Sequence, residues 1–139
     1  MKSMKIVLDS YALIAYFEDE PGAEKVAQLL VQAELGEIAL LMSIVNWGEV
    51  YYILYRSKGE YAAEESILVM DQLPITLVEV DKLLTYQAAR LKAKYAVAFG
   101  DCFAAALAVV NESRVLTGDP EFQRMETEVA VSWIKDATE

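Results

Sequence analysis

The chain has 139 residues, 55% of them apolar, and a formal net charge of −10 from 22 acidic and 12 basic residues. That is the usual size of one domain, and no apolar run approaches the ~20 residues of a membrane span. With no histidine and a single cysteine, Cys102, a His-based triad, a His or Cys-rich zinc site and an internal disulfide are all excluded, so any metal must be a hard cation held by oxygen.

The acidity argues against a plain basic patch that grips nucleic acid through its phosphates. It leaves room for a nuclease whose clustered carboxylates are neutralised by a divalent cation, and it suits a basic partner protein. The start, Met1-Lys2-Ser3-Met4-Lys5, leads into a short apolar strand with no small-residue cleavage site. No secretory signal is expected, and a cytoplasmic setting with no membrane association is the default.

The first element is a buried strand over residues 4–8, ended by Asp9. Ser10 is expected to cap the helix that follows, with Leu13, Ile14 and Phe17 as its apolar face. The cluster Glu18-Asp19-Glu20-Pro21-Gly22 stops it. A second helix runs from Ala23 to Leu35 and closes at Gly36. Ile38 to Met42 reads as a second buried strand. Ser43 caps a third helix to about Ser57, which carries Asn46, Trp47 and Glu49. A fourth helix covers Glu60 to Gln72, and Pro74 to Val80 is a third strand. Asp81 caps a fifth helix to about Tyr95. Gly100 and Asp101 open an Ala-rich sixth helix to about Glu112. Arg114 to Leu116 is a fourth strand, Thr117-Gly118-Asp119-Pro120-Glu121-Phe122 a turn into a short helix, and Val129 to Val131 a last edge strand. Strands alternating with helices predict an α/β protein with a mainly parallel sheet of about five strands, covered on both faces. With no linker, repeat or low-complexity segment, residues 1–139 read as one domain.

Four acids sit at junctions between these elements. Asp9 follows a buried strand directly, which is where open α/β sheets bind ligands; a helix cap is the alternative. Glu49 shares a helix face with Asn46, three residues before it, and a solvated helix acid explains it as well. Asp101 begins a helix, where an acid is favoured by the dipole alone. Asp119 precedes a proline, a common helix start. The stripe Trp47, Tyr51, Tyr55 has i, i+4 spacing and suits core or dimer packing, with base stacking as the alternative. Arg56, Lys58, Arg90, Lys92 and Lys94 are scattered cations, either guides for a nucleic acid or solvated surface.

Taken together, Val-Leu-Asp9-Ser, Ser43-Ile-Val-Asn46-Trp-Gly-Glu49, Gly-Asp101-Cys-Phe-Ala-Ala and Leu-Thr117-Gly-Asp119-Pro-Glu-Phe are similar to the PIN-domain family. They look most like the VapC-type ribonuclease toxins of toxin–antitoxin pairs, over essentially the whole chain. The resemblance implies an α/β/α sandwich in which the first and fourth strands are neighbours. It implies a metal-dependent endoribonuclease that binds Mg2+ or Mn2+ through Asp9, Glu49, Asp101 and Asp119. Asp9, Asp101 and Asp119 would be direct or water-mediated ligands, and Glu49 a ligand or a water-orienting base. Ser10, Asn46 and Thr117 would orient these acids or a phosphate. The implied partners are an RNA substrate, a cognate antitoxin protein and a second copy in a homodimer.

A non-catalytic interaction protein on the same fold is the competing reading, and it predicts weak or no metal binding. Phosphoryl transfer to aspartate is a third. Ser10-Tyr11 after Asp9 removes the Asp-x-Asp of haloacid-dehalogenase-type phosphatases, and no Lys stands where response-regulator receivers place one.

Overall fold

The computed structural model describes residues 4–135. Five strands form one sheet: β1 (Met4–Leu8), β2 (Ile38–Ser43), β3 (Ile75–Val78), β4 (Arg114–Thr117) and β5 (Val131–Trp133). Six helices connect them: α1 (Ser10–Phe17), α2 (Ala23–Glu34), α3 (Ile44–Lys58), α4 (Glu60–Met70), α5 (Lys82–Lys94) and α6 (Phe99–Val110). A 3-10 helix over Pro120–Met125 joins β4 to β5. The strand order is β3-β2-β1-β4-β5, and every pair is parallel.

The alternation of side chains along each strand builds two cores, one per face. Val7, Leu41 and Val115 point to the layer of α5, α6 and the 3-10 helix, where they meet Leu91, Phe103, Leu107 and Phe122. Their neighbours Leu8, Leu40 and Leu116 point the other way, onto Leu13, Val26, Val50 and Leu54 of α1, α2 and α3. The central strands are therefore apolar on both faces, which is why they read as continuous apolar runs rather than alternating ones. Each such side chain, buried in full, contributes roughly 1.5–3 kcal/mol. Among the described residues no helix is long and apolar enough to cross a membrane.

Most element boundaries fall within two residues of those expected, and the departures have local causes. Asp9, not Ser10, caps α1: its backbone is extended (φ −91°, ψ 179°) and its Oδ1 accepts the Ala12 N–H at 2.9 Å, so Ser10 is already the first helical residue. β5 begins two residues later than the sequence suggests. The Val129 N–H bonds to the Met125 carbonyl, which closes the turn after the 3-10 helix, and pairing starts only where the Val115 N–H meets the Ala130 carbonyl. β3 keeps only Ile75–Val78 of the expected seven residues. As an edge strand following Pro74, it pairs only with β2. Ser43 and Asp81 cap α3 and α5 as expected.

Candidate metal centre at the ends of β1 and β4

The parallel pairing of β1 with β4 sets Leu8 beside Leu116. The residues that follow, Asp9 and Thr117, therefore emerge side by side at the carboxyl edge of the sheet. The Thr117 hydroxyl donates to Asp9 Oδ2 at 2.5 Å and accepts the Asp119 N–H at 3.0 Å. Asp119 Oδ1 in turn accepts the Glu121 N–H at 3.0 Å and caps the 3-10 helix. Pro120 at the first helical position holds this turn.

Two helices bring further acids to the same edge. Asp101 lies in the first turn of α6 and is buried. Glu49 comes from α3, where the fully buried Asn46 Nδ2 donates to Glu49 Oε1 at 2.7 Å and to the Gly100 carbonyl at 3.0 Å. One amide thus fastens the Glu49 side chain to the start of α6. Gly100 is part of the same fit, because a Cβ there would overlap the Glu49 carboxylate. Among the described residues, Asn46 Oδ1 and Trp47 Nε1 are buried without a hydrogen-bond partner.

The tightest convergence is of Asp101, Asp119 and Glu121, each offering a carboxylate oxygen within 4.8 Å of the others. These three line a cleft of about 410 Å³ together with Ser10, Tyr11 and Glu49. Asp9 sits deeper, 1% exposed, with both oxygens already accepting hydrogen bonds. Of the four acids expected from the sequence, the structure therefore sets Asp101 and Asp119 in the tight group. Glu49 is on the cleft wall and Asp9 beneath it. Ser10 lines the cleft, Asn46 holds Glu49, and Thr117 links Asp9 to Asp119. Glu121, which follows Asp119 and Pro120 in the same motif, joins this group without being expected from the sequence. Its signal was the Asp-Pro-Glu spacing, since the capping turn at Asp119 carries the residue two positions on back toward the same cleft. Glu20, from the loop between α1 and α2, also lines the cleft.

The cost of this crowding appears in the protonation of the two buried acids. Burial, first of all, pushes Asp9 up to about 7, against the opposing hydrogen bonds from Thr117 and Ala12, and the charges of Asp119 and Glu49 add to the rise. Asp101 is likewise pushed up to about 7, by burial and then by Asp119, Asp9, Glu49 and Glu121. Among the described residues, Asp9, Glu49, Asp101 and Asp119 have no Lys or Arg in ion-pair reach, and Glu121 alone pairs, with Arg124 at 3.2 Å on the surface. A cation in the cleft would relieve both the repulsion and the desolvation. The donors are all carboxylate oxygens, and Cys102 is turned into the core. The set fits a hard divalent ion such as Mg2+ or Mn2+.

The scattered cations, read as either guides or solvated surface, are engaged away from the cleft. Lys58 pairs with Glu18, and Arg90 and Lys94 both pair with Glu128. Lys92 donates to the Val97 carbonyl, and Arg56 lies 5.3 Å from the centre of the Tyr52 ring. In the aromatic stripe, Tyr51 and Tyr55 pack against each other with ring centres 6.0 Å apart, and Trp47 packs against the α1–α4 core.

This architecture is shared with known proteins. The chain is similar in fold to DNA-bound VapBC from Salmonella typhimurium, with a TM-score of 0.74, 14% identity and coverage of 95% of this chain and 99% of that one. VapBC-1 from nontypeable Haemophilus influenzae gives a TM-score of 0.71 at 20% identity, covering 96% and 100%. VapC20 of Mycobacterium tuberculosis, a toxin that cleaves the Sarcin-Ricin loop, gives 0.67 at 13% identity, covering 90% and 96%. No curated protein matches the chain by sequence. The family model for the PIN domain matches residues 6–128, a span that carries all five clustered acids, and the chain therefore belongs to the PIN-domain family.

Proposed function

We propose that this protein is a divalent-metal-dependent endoribonuclease, the VapC-type toxin of a type II toxin–antitoxin pair. The observation that carries the reading is the convergence of Asp101, Asp119 and Glu121 within 4.8 Å, backed by buried Asp9 and anchored Glu49 at the carboxyl edge of a parallel sheet. Membership of the PIN-domain family and the likeness in fold to VapBC proteins support it.

In this reading Asp9, Asp101 and Asp119, with Glu121, hold Mg2+ or Mn2+ directly or through water. Magnesium usually takes only one or two carboxylates and keeps several waters, so part of this ligation would run through water. When bound, such an ion lowers the pKa of a coordinated water and offsets charge developing on the phosphoryl oxygens. Glu49, fixed by Asn46, serves as a ligand or as the base that orients the attacking water. Thr117 keeps Asp9 and Asp119 in register, and Ser10 faces the phosphate across the cleft. Histidine is not needed for any of these roles. The partners are an RNA substrate, a basic antitoxin and a second copy of the chain, in the cytoplasm.

The test is incubation of the purified protein with cellular RNA, with and without Mg2+ or Mn2+, beside Asp9→Asn and Asp101→Asn variants and an EDTA control. Cutting that needs metal and is lost in both folded variants is the expected result. No cutting by the wild type, with no divalent binding by calorimetry, would remove the nuclease reading.

A further inference from the structure

Next to the acid cleft lies a second, larger groove of about 820 Å³ whose charge is opposite. Its lining includes Lys25, Arg114 and Lys135, the rings of Tyr11 and Trp133, and Gln123. Among the described residues no carboxylate lines it, in a chain with 22 acids and 12 cations. Among the same residues the acid cleft is the reverse, with five carboxylates and no cation in its wall. Tyr11 lines both. Gly118 sets it there, because a Cβ at that position would overlap the Tyr11 ring. The two sites therefore meet at Tyr11, with Gly118 and Asp119 adjacent in the chain.

The cations of the groove are held in place. Lys25 Nζ donates to the Trp133 carbonyl at 3.0 Å. Arg114 donates from Nε to Ser132 Oγ at 2.8 Å and from Nη2 to the Val131 carbonyl at 2.6 Å. These bonds cover carbonyls of β5, the edge strand, and they discourage pairing with a further strand. Among the described residues they also leave N–H groups of both side chains free, at fixed positions and with no carboxylate paired to them. Lys135 is exposed at the rim. Fixed cations interleaved with aromatic rings are the combination that binds a single-stranded polynucleotide, phosphates to the cations and unstacked bases to the rings.

We propose that this groove is the track for a single RNA strand on one side of the scissile phosphate, with Lys25, Arg114 and Lys135 taking backbone phosphates and Tyr11 and Trp133 meeting bases. The proposal rests on the nuclease reading and deepens it. It accounts for how a chain of net charge −10 engages a polyanion: the favourable charge is gathered into one groove beside the cleft. The strand enters the acid site past Tyr11, so the residues of the groove govern binding and leave the chemistry to the cleft.

The experiment measures binding of a fluorescein-labelled single-stranded RNA oligonucleotide by anisotropy, in an Asp101→Asn background with Mg2+ so that the RNA stays whole. In parallel, cleavage is followed in the wild-type background. Lys25→Gln/Lys135→Gln is expected to weaken binding about 10-fold at 0.1 M salt. It should also make the dependence of log K on log salt shallower by about 1.4, which is roughly 0.7 for each lost phosphate contact on a single strand. In cleavage it raises KM and leaves kcat near that of the wild type. Gln123→Glu, which keeps the Lys25 bond to β5, is expected to weaken binding at least about 3-fold by adding an anion to the groove. Arg56→Gln/Lys82→Gln makes the same change of net charge elsewhere and should stay within about 2-fold. If the wild type cuts RNA but the groove variants bind and cut like this control, the track is overturned while the nuclease stands. If the wild type neither binds nor cuts RNA, both fall. Tighter capture of a polyglutamate peptide than of RNA would overturn the track in favour of an acidic protein segment.

Discussion

The Thr117 hydroxyl stands between Asp9 and Asp119, donating to Asp9 Oδ2 at 2.5 Å while accepting the Asp119 N–H at 3.0 Å. It joins the ends of two neighbouring parallel strands, and its own side chain is fully buried. Thr117→Val keeps the shape and removes both bonds, leaving a buried carboxylate oxygen and a backbone N–H without partners. The expected loss is about 1–3 kcal/mol of stability, read from denaturant unfolding. Thr117→Ser should recover most of it. A Val variant as stable as the wild type would show that water replaces the hydroxyl.

Asp9→Asn should fold. An Asn oxygen can still accept the Ala12 N–H as a helix cap, and the desolvation of a buried charge disappears. The metal-free variant is expected to melt at or above the wild-type temperature. Its metal-dependent RNA cleavage should fall by about 100-fold or more, since charge stabilisation of this kind is worth that much in comparable sites. Asp9→Ala, which also removes the cap, should cost roughly 1 kcal/mol of stability. Paired melting and cleavage assays separate the two effects.

Glu121 is the acid that the fold added to the tight group. Glu121→Gln is expected to weaken Mn2+ binding about 10-fold by calorimetry while leaving the melting temperature of the metal-free protein within about 2 °C, because its one ion pair among the described residues is an exposed one with Arg124, and such pairs are worth little. Unchanged Mn2+ affinity would take Glu121 out of the site.

Stability should depend on pH in a direction set by the buried acids. Asp9 and Asp101 are held at about 7, against 3.8 for a free side chain. Between those values the folded protein binds more protons than the unfolded chain. Their contribution is therefore complete below about pH 4 and is lost as pH rises through about 7. Glu128 acts oppositely. The Tyr95 hydroxyl, Lys94 and Arg90 hold it down to about 2, so its contribution is present above 4.5 and is lost as pH falls through about 2. Melts in EDTA should show the highest transition near pH 4–5 and a fall toward pH 8. Mg2+ or Mn2+ should flatten the upper limb. An upper limb that ignores metal would show that no cation is held by these acids.

Gly100→Ala separates position from stability. Gly100 lies in the first turn of α6, where Ala is intrinsically better by roughly 0.5–1 kcal/mol. A methyl group there must displace the Glu49 carboxylate, the flexible end of its side chain. The melting temperature should hold or rise, while RNA cleavage falls about 10-fold or more. Full activity in this variant would show that Glu49 works equally well from a shifted position.

The apolar runs and their breakers were enough to place the elements, because burial on both faces makes the central strands of a parallel sheet apolar throughout and leaves turns to Gly, Pro and Asp. The same local chemistry marked Asp9, Glu49, Asp101 and Asp119 as acids at junctions, and their motif order carried the likeness to the PIN-domain family. What the chain order could not show is which of them touch. Asp9 and Thr117 are 108 positions apart, and only the pairing of β1 with β4 sets their strand ends side by side. That pairing buries Asp9 and brings the Thr117 hydroxyl to its Oδ2, while Oδ1 is already taken by the local cap on the Ala12 N–H. It also leaves the tightest oxygen cluster to Asp101, Asp119 and Glu121. The gathering of Lys25, Arg114 and Lys135 into one groove is of the same kind. Those three cations lie far apart in sequence, with no shared motif, and they meet because α2, β4 and the end of β5 converge there, so the charge that matters is a property of the packed surface and not of the composition.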